Sequence, residues 1–207
     1  MNFGQLVSEV ANWLDRDDLE DTIKFAINAA IRQCERRYDF KYMHKVVSLT
    51  SSDGTLSLPS DYKKPDYLIY VTSGDRKILT ETAPRLGAAV DYSGSPDYYW
   101  IGVMPDESVK KIIIKPAPAD GSEFEFGYYA YSDELSGDVD THWLLTNAPE
   151  LILFGALILL QSRILEDVRI AALRDQYNQL WNDLIIDIET EKTSGSPQRI
   201  AAGVPVV

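Results

Sequence analysis

The chain has 207 residues, 45% of them hydrophobic, 25% charged and 11% aromatic, and its 32 Asp+Glu against 20 Lys+Arg leave a formal charge of −12. That length can bury a real core, as one domain or two small ones. The acidity excludes the simplest nucleic-acid binder, which needs a basic excess against phosphate, and disfavours a protein held to anionic lipid.

The opening MNFGQLVSEV lacks a charged stretch leading into an apolar one, so no signal peptide is expected. A helical pattern runs from Asn2 to Leu14, with Phe3, Leu6, Val7, Val10, Trp13 and Leu14 on one stripe. Asp15-Arg16-Asp17-Asp18 breaks it and offers caps and first-turn carboxylates for a second helix. There Leu19, Ile23, Ala26, Ile27, Ala30, Ile31, Cys34 and Tyr38 recur at steps of three and four, while Lys24, Asn28, Arg32 and Glu35 face away. Phe25 falls outside that stripe. Cys34 is the single cysteine, which excludes an intrachain disulfide and fits a reducing compartment.

From Val46 to Tyr131 the period shifts toward two. Val46–Thr50 and Thr55–Leu58 bracket Asp53-Gly54, a hairpin signal; Tyr67–Thr72 and Lys77–Thr80 bracket Ser73-Gly74-Asp75-Arg76, a second. Pro84–Tyr92 reads as a short helix and Ser93–Asp97 as a loop. Strands are expected at Tyr98–Val103, Val109–Lys115 and Glu123–Tyr131, joined by turns at Asp106-Glu107-Ser108 and Ala119-Asp120-Gly121. Together they suggest an antiparallel sheet or small sandwich.

Ser132–Thr141 is an acidic loop. A third helix is expected from Ala148 to Leu165, apolar around its whole circumference over Leu151–Leu160. Those ten residues rise about 15 Å, half of a bilayer core of roughly 30 Å, so they do not span a membrane. A fourth helix starts near Glu166-Asp167 and carries Ile170, Leu173, Tyr177, Leu180, Trp181, Leu184 and Ile188 on its stripe. Thr193–Pro197 then forms a hinge before the tail QRIAAGVPVV. The expected fold is α+β: a mainly helical bundle formed by N- and C-terminal helices, an inserted antiparallel β-rich domain and an extended C-terminal tail. The corresponding divisions are 1–45 and 140–192 for the bundle, 46–139 for the insertion and 193–207 for a flexible arm.

Catalytic chemistry is not written in this pattern. There is no glycine-rich phosphate cradle, no cysteine pair, no His-Glu-x-x-His and no Gly-x-Ser-x-Gly elbow. Asp138-Val-Asp140-Thr-His142 starts like a calcium loop but lacks its glycine and closing glutamate. No cofactor, metal or catalytic residue is assigned, and no enzyme is expected. Charge, however, is segregated. From Pro116 to Ser162 there is no Lys or Arg, yet eight acids, whereas Arg32, Arg36, Arg37, Lys41 and Lys45 cluster at the end of the second helix. That cluster complements a helix dipole, or it is a basic inter-subunit patch that meets the acidic belt of a neighbouring copy. The tail residues Ile200, Val204, Val206 and Val207 form an apolar end that is either frayed or a docking arm.

Several segments, in this order, resemble the head-to-tail adaptor (connector) proteins of tailed bacteriophages. They are Ala26–Arg32 with Arg36-Arg37-Tyr38-Asp39-Phe40; Leu58-Pro59-Ser60-Asp61-Tyr62; Ile112–Pro118; Gly127-Tyr128-Tyr129-Ala130; Trp143-Leu144-Leu145 through Leu157; and a final helix with Tyr177 and Trp181. The resemblance implies a structural virion protein at the neck, assembled in the host cytoplasm. It implies a ring, usually twelvefold, beneath the portal protein, joined to tail or nozzle proteins, through which DNA passes without specific binding. In that setting Asp133, Glu134, Asp138 and Asp140 are expected to line the channel, where negative charge repels phosphate. The tail arm is expected to dock onto the portal or a neighbour. The alternatives are a tail-completion or minor tail protein, a monomeric binding module using the tyrosine-rich sheet, and a carboxylate-dependent hydrolase.

Overall fold

Helix α1 (Phe3–Leu14) begins where Asn2 accepts the Gln5 N–H through its side chain, while the Gln5 side chain accepts the Asn2 N–H. This capping box satisfies two donors that a helix start leaves bare. Phe3, Leu6, Val7 and Val10 form the buried stripe, and the helix stops at Asp15 in a left-handed conformation. Helix α2 (Glu20–Arg37) buries Ile23, Ala26, Ile27, Ala30 and Ile31. The computed structural model describes residues 1–16, 18–87, 94–103, 108–164 and 170–193, without the side chains of 86–87, 161–164 and 192–193.

After the sheet come α4 (Trp143–Asn147), α5 (Pro149–Ile164) and α6 (Ile170–Thr193), α3 being the short Pro84–Gly87 turn between strands. No side chain of α5 from Leu151 to Leu160 is exposed, as an all-apolar circumference requires. Gly155 lets α5 approach closely: a Cβ there would lie 3.1 Å from the Ala30 Cβ and 3.2 Å from the Tyr177 ring. Among the described residues no helix is long and apolar enough to cross a membrane.

A 3-10 turn at Lys41–Met43 leads into β1 (His44–Thr50), followed by β2 (Thr55–Ser57), β3 (Tyr62–Val71), β4 (Arg76–Glu81), β5 (Tyr98–Val103), β6 (Lys110–Lys115) and β7 (Glu123–Ala130). They form one sheet in the order β1-β7-β3-β4-β5-β6-β2, antiparallel except for the parallel pair β4–β5. Its ends, β1 and β2, are joined by the Ser51–Gly54 turn, where Asp53 and Gly54 both take positive φ. The interior is filled by Leu56, Leu68, Leu79, Tyr99, Ile112, Ile114, Phe124, Phe126 and Tyr128. By contact the chain divides into two compact units, Met1–Gln33 with Glu134–Val207, and Cys34–Asp133.

The expectation of a mainly helical bundle carrying a β insertion is overturned. The sheet is a seven-stranded, nearly closed, barrel-like structure, and the helices fall into one N-terminal and one C-terminal region that do not dominate the fold. Long helices announce themselves by period, whereas closure depends on strands far apart in sequence, β1 with β7 and β2 with β6. Strand β3 also starts at Tyr62 rather than Tyr67, because Pro65 sits at a register shift where a missing donor is tolerated. Helix α4 is a further addition. Of the expected Pro84–Tyr92 helix, Pro84–Gly87 is present and the rest lies outside the described residues. So do Asp106-Glu107, the start of the fourth helix and the C-terminal tail.

On the outer face of the sheet the Tyr67 ring lies over Gly127, and a Cβ on Gly127 would overlap it. Gly127→Ala is therefore expected to cost about 1–3 kcal/mol in urea unfolding. Combined with Tyr67→Ala the loss should be clearly less than additive, because the clash then has no partner.

Candidate interaction surfaces

In the helical unit the acidic loop is built onto α1 and α2. The carbonyls of Asp140 and Asp138 accept the N–H groups of Phe3 and Gly4, each at 2.9 Å, satisfying donors of the first turn. Gly4 permits this approach, since a Cβ there would lie 2.8 Å from the Asp138 Cβ. Asn28 donates to the Leu135 carbonyl and accepts the Leu135 N–H, both at 2.9 Å. The Asp140 carboxylate accepts N–H bonds from Ser136 (2.9 Å) and Gly137 (2.7 Å), which hold it below the usual carboxylate range.

The four predicted channel acids thus differ in role. Asp140 is half-buried and closes its own loop, and Asp138 lies 3.8 Å from Lys24, while Asp133 and Glu134 are exposed at the start of the segment. Asp133 belongs to the sheet unit and Glu134 to the helical unit. Beside the loop an open groove of about 620 Å³ runs along α1, walled by Asn2, Gln5, Asn12, Arg16, Glu20 and Val139. The buried His142 caps α4, its Nδ1 accepting the Leu144 N–H at 3.1 Å. Among the described residues no group of three or more His, Cys, Asp or Glu could hold a metal ion.

The five basic residues are also not equivalent. Arg32 is half-buried on α2; Arg36 and Arg37 are exposed in its last turn. Lys41 is exposed, with its ammonium 5.0 Å from the Tyr42 ring centroid. Lys45 is committed to Asp61 at 2.7 Å. Asp61 also accepts from the Tyr128 hydroxyl at 2.9 Å, and burial together with that bond pushes Tyr128 up to about 12. Ile200, Val204, Val206 and Val207 lie outside the described residues.

Sequence reasoning missed the polar knot of the sheet unit. Glu35, expected to face solvent, is fully buried and accepts the Ser132 N–H (3.1 Å) and hydroxyl (2.6 Å). Lys63, with its side chain 9% exposed, donates to the carbonyls of Glu35 and Tyr38 and pairs with Asp39 at 2.8 Å. Lys64 takes the other Asp39 oxygen at 2.9 Å. Burial alone would raise the Asp39 carboxyl, but the bonds from Lys63 and Lys64 outweigh it and hold it below the ordinary range. The Glu35 position on the helix gave no signal; a Lys-Lys pair before Pro65 was the only trace.

Residues 1–201 match a family model described as SU10 adaptor protein. No curated protein matches the chain.

Removing Lys63 takes the donor from two carbonyls and from one Asp39 oxygen, the other staying with Lys64, so Lys63→Met is expected to lose about 2–4 kcal/mol in urea unfolding. The lowered carboxyls of Asp39, Asp61 and Asp140 bind fewer protons folded than unfolded. Their contribution is complete above the unfolded value of about 4 and disappears as pH falls through the lower folded values. Thermal unfolding from pH 6 to pH 2 should show Tm dropping below about pH 4, less steeply in Asp39→Asn.

Proposed function

From the fact that the chain belongs to the SU10 adaptor family, a family of bacteriophage head-to-tail adaptors that are structural proteins, we propose that its copies form a ring beneath the portal. The observation that carries this reading is the family match over residues 1–201, which takes in both compact units. The ring would be twelvefold, sit at the virion neck, contact portal and tail or nozzle proteins, and let DNA pass.

Charge distribution supports the reading. Seventeen acids against eight basic residues fall in the helical unit, and fifteen against twelve in the sheet unit, together the 32 and 20 of the chain. Exposed Asp133, Glu134 and Asp138 would face the lumen, with Asp140 fixing the loop that carries them. A negative wall repels phosphate and keeps DNA moving. Arg36, Arg37 and Lys41, with Arg32 and Lys45 at their flanks, would meet acidic surface on the next copy, a heterologous contact that closes into a ring.

Co-sedimentation with the cognate portal protein, followed by negative-stain imaging, tests this. A second ring stacked on the portal is the expected result; no association at any concentration would overturn it. Arg36→Glu with Arg37→Glu should weaken stacking, and more so at low salt. Asp133→Lys with Glu134→Lys and Asp138→Lys should leave stacking intact but make rings retain DNA in a salt-dependent way.

A further inference from the structure

Directly opposed residues of antiparallel strands share a face, so register alone defines the outside of β1-β7-β3-β4. Phe124, Phe126, Tyr128, Leu68 and Leu79 point inward and are buried. Outward, Val46 is 52% exposed and Ile78 69%, with Tyr67, Ile69 and Tyr129 half-buried around them. Antiparallel sheets usually present polar residues to water on their outer face; this one carries an apolar and aromatic strip, Val46, Tyr129, Tyr67, Ile69 and Ile78, among the polar Ser48, Thr50, Glu123, Glu125 and Arg76.

Most charges on and beside the middle of that surface are paired within the chain, Glu123 at its end being exposed. Glu125 accepts from Arg76 at 2.7 Å and from the Tyr67 hydroxyl at 3.3 Å. His44, 5.6 Å from the Tyr129 ring, bonds Asp66 at 3.0 Å, and Lys64 bonds Asp39. Covering this face leaves no charge of these pairs stranded, so it suits an uncharged apolar occupant and offers little to an ionic one. The chain supplies such a segment. Fourteen residues follow Thr193, enough to reach about 45 Å when extended. The last eight, Ile200–Val207, contain no charged side chain and four β-branched ones.

We infer that Ile200–Val207 of one copy packs on the outer face of β1-β7-β3-β4 of a neighbouring copy, around Val46 and Ile78. This rests on the ring reading above, which sets copies side by side, and gives the tail arm a receptor. Pro205 leaves the segment one donor short, which a surface-laid strand tolerates.

The test mixes forms of the full chain that each carry one added cysteine with the cognate portal protein and a short bismaleimide, the native Cys34 staying buried. Val206→Cys is paired with Ile78→Cys, or with Ser57→Cys on β2 as the control position. Cross-linked dimer with Ile78→Cys is expected to exceed the control about tenfold, because docking raises local concentration. Equal yields, no cross-link, or cross-linking of Val206→Cys to the portal instead would overturn the inference. Imaging the same samples separates the two readings. Rings without the preferred cross-link reject only this contact, and the preferred cross-link without rings supports it while rejecting the ring.

Discussion

Lys63 is the residue on which the sheet unit turns. An ammonium has three donors, and here all three are used, on the Glu35 and Tyr38 carbonyls and the Asp39 carboxylate. Two of those acceptors lie where α2 ends, and a helix end leaves carbonyls that need partners. A buried cation is costly unless fully paired, and Lys63 is paired by the very segment that leads into β1. Glu35 then fastens Ser132, just past β7, so the chain's path into the sheet and its path out are held at one place. A barrel whose first and last strands lie side by side, β1 against β7, needs such a fixed point.

That closure decides what faces water. Once β7 lies between β1 and β3, its alternation sends Phe124, Phe126 and Tyr128 inward and Glu125, Gly127 and Tyr129 outward. A one-residue slip would reverse both sets. Tyr67 over Gly127 helps resist it, since the ring occupies space that only a residue without a side chain can leave open. The outer aromatic surface is therefore a consequence of the inner one: consecutive tyrosines at 128 and 129 cannot share a face.

Much of this was legible in the sequence, and the limits are specific. Phe3, Leu6, Val7 and Val10 of α1, the second hairpin (β3–β4) and strand β5 follow from local pattern and stand where expected. The Asp53-Gly54 turn forms, but the hairpin expected around it does not, since β1 pairs with β7 and β2 with β6, and Trp13, expected on the α1 stripe, is 54% exposed. The family was legible through ordered short segments such as Leu58–Tyr62. The weight of the sheet was not, because closure rests on β1–β7, β2–β6 and the parallel β4–β5 pair, which no local period reports. Among candidate site residues, sequence could count the acids but not sort them. Asp140 and Asp133 look alike in the string; one accepts two backbone N–H groups and the other is exposed. Glu35 was misplaced for the same reason, as its burial depends on Ser132, ninety-seven residues away.

Under the ring reading, the same distinction bears on how a chain of charge −12 would meet copies of itself. Like-charged copies repel, so contact surfaces must be neutral or basic. In the sheet unit Asp39, Asp61, Asp66, Asp97 and Glu125 are each answered by a cation or His44 within hydrogen-bond distance. The excess of acid lies instead in the helical unit, where Asp175, Asp183 and Asp187 stand exposed on α6. Burying paired charge under apolar cover costs less than burying those carboxylates without a partner, which would cost several kcal/mol each. Under the ring reading, neutral sheet faces and the Arg36-Arg37 end are what neighbouring copies can bury, and unpaired carboxylates are left to open water. An aqueous channel would be such a place, so under that reading the charge that hinders association would favour a hollow assembly over a solid one.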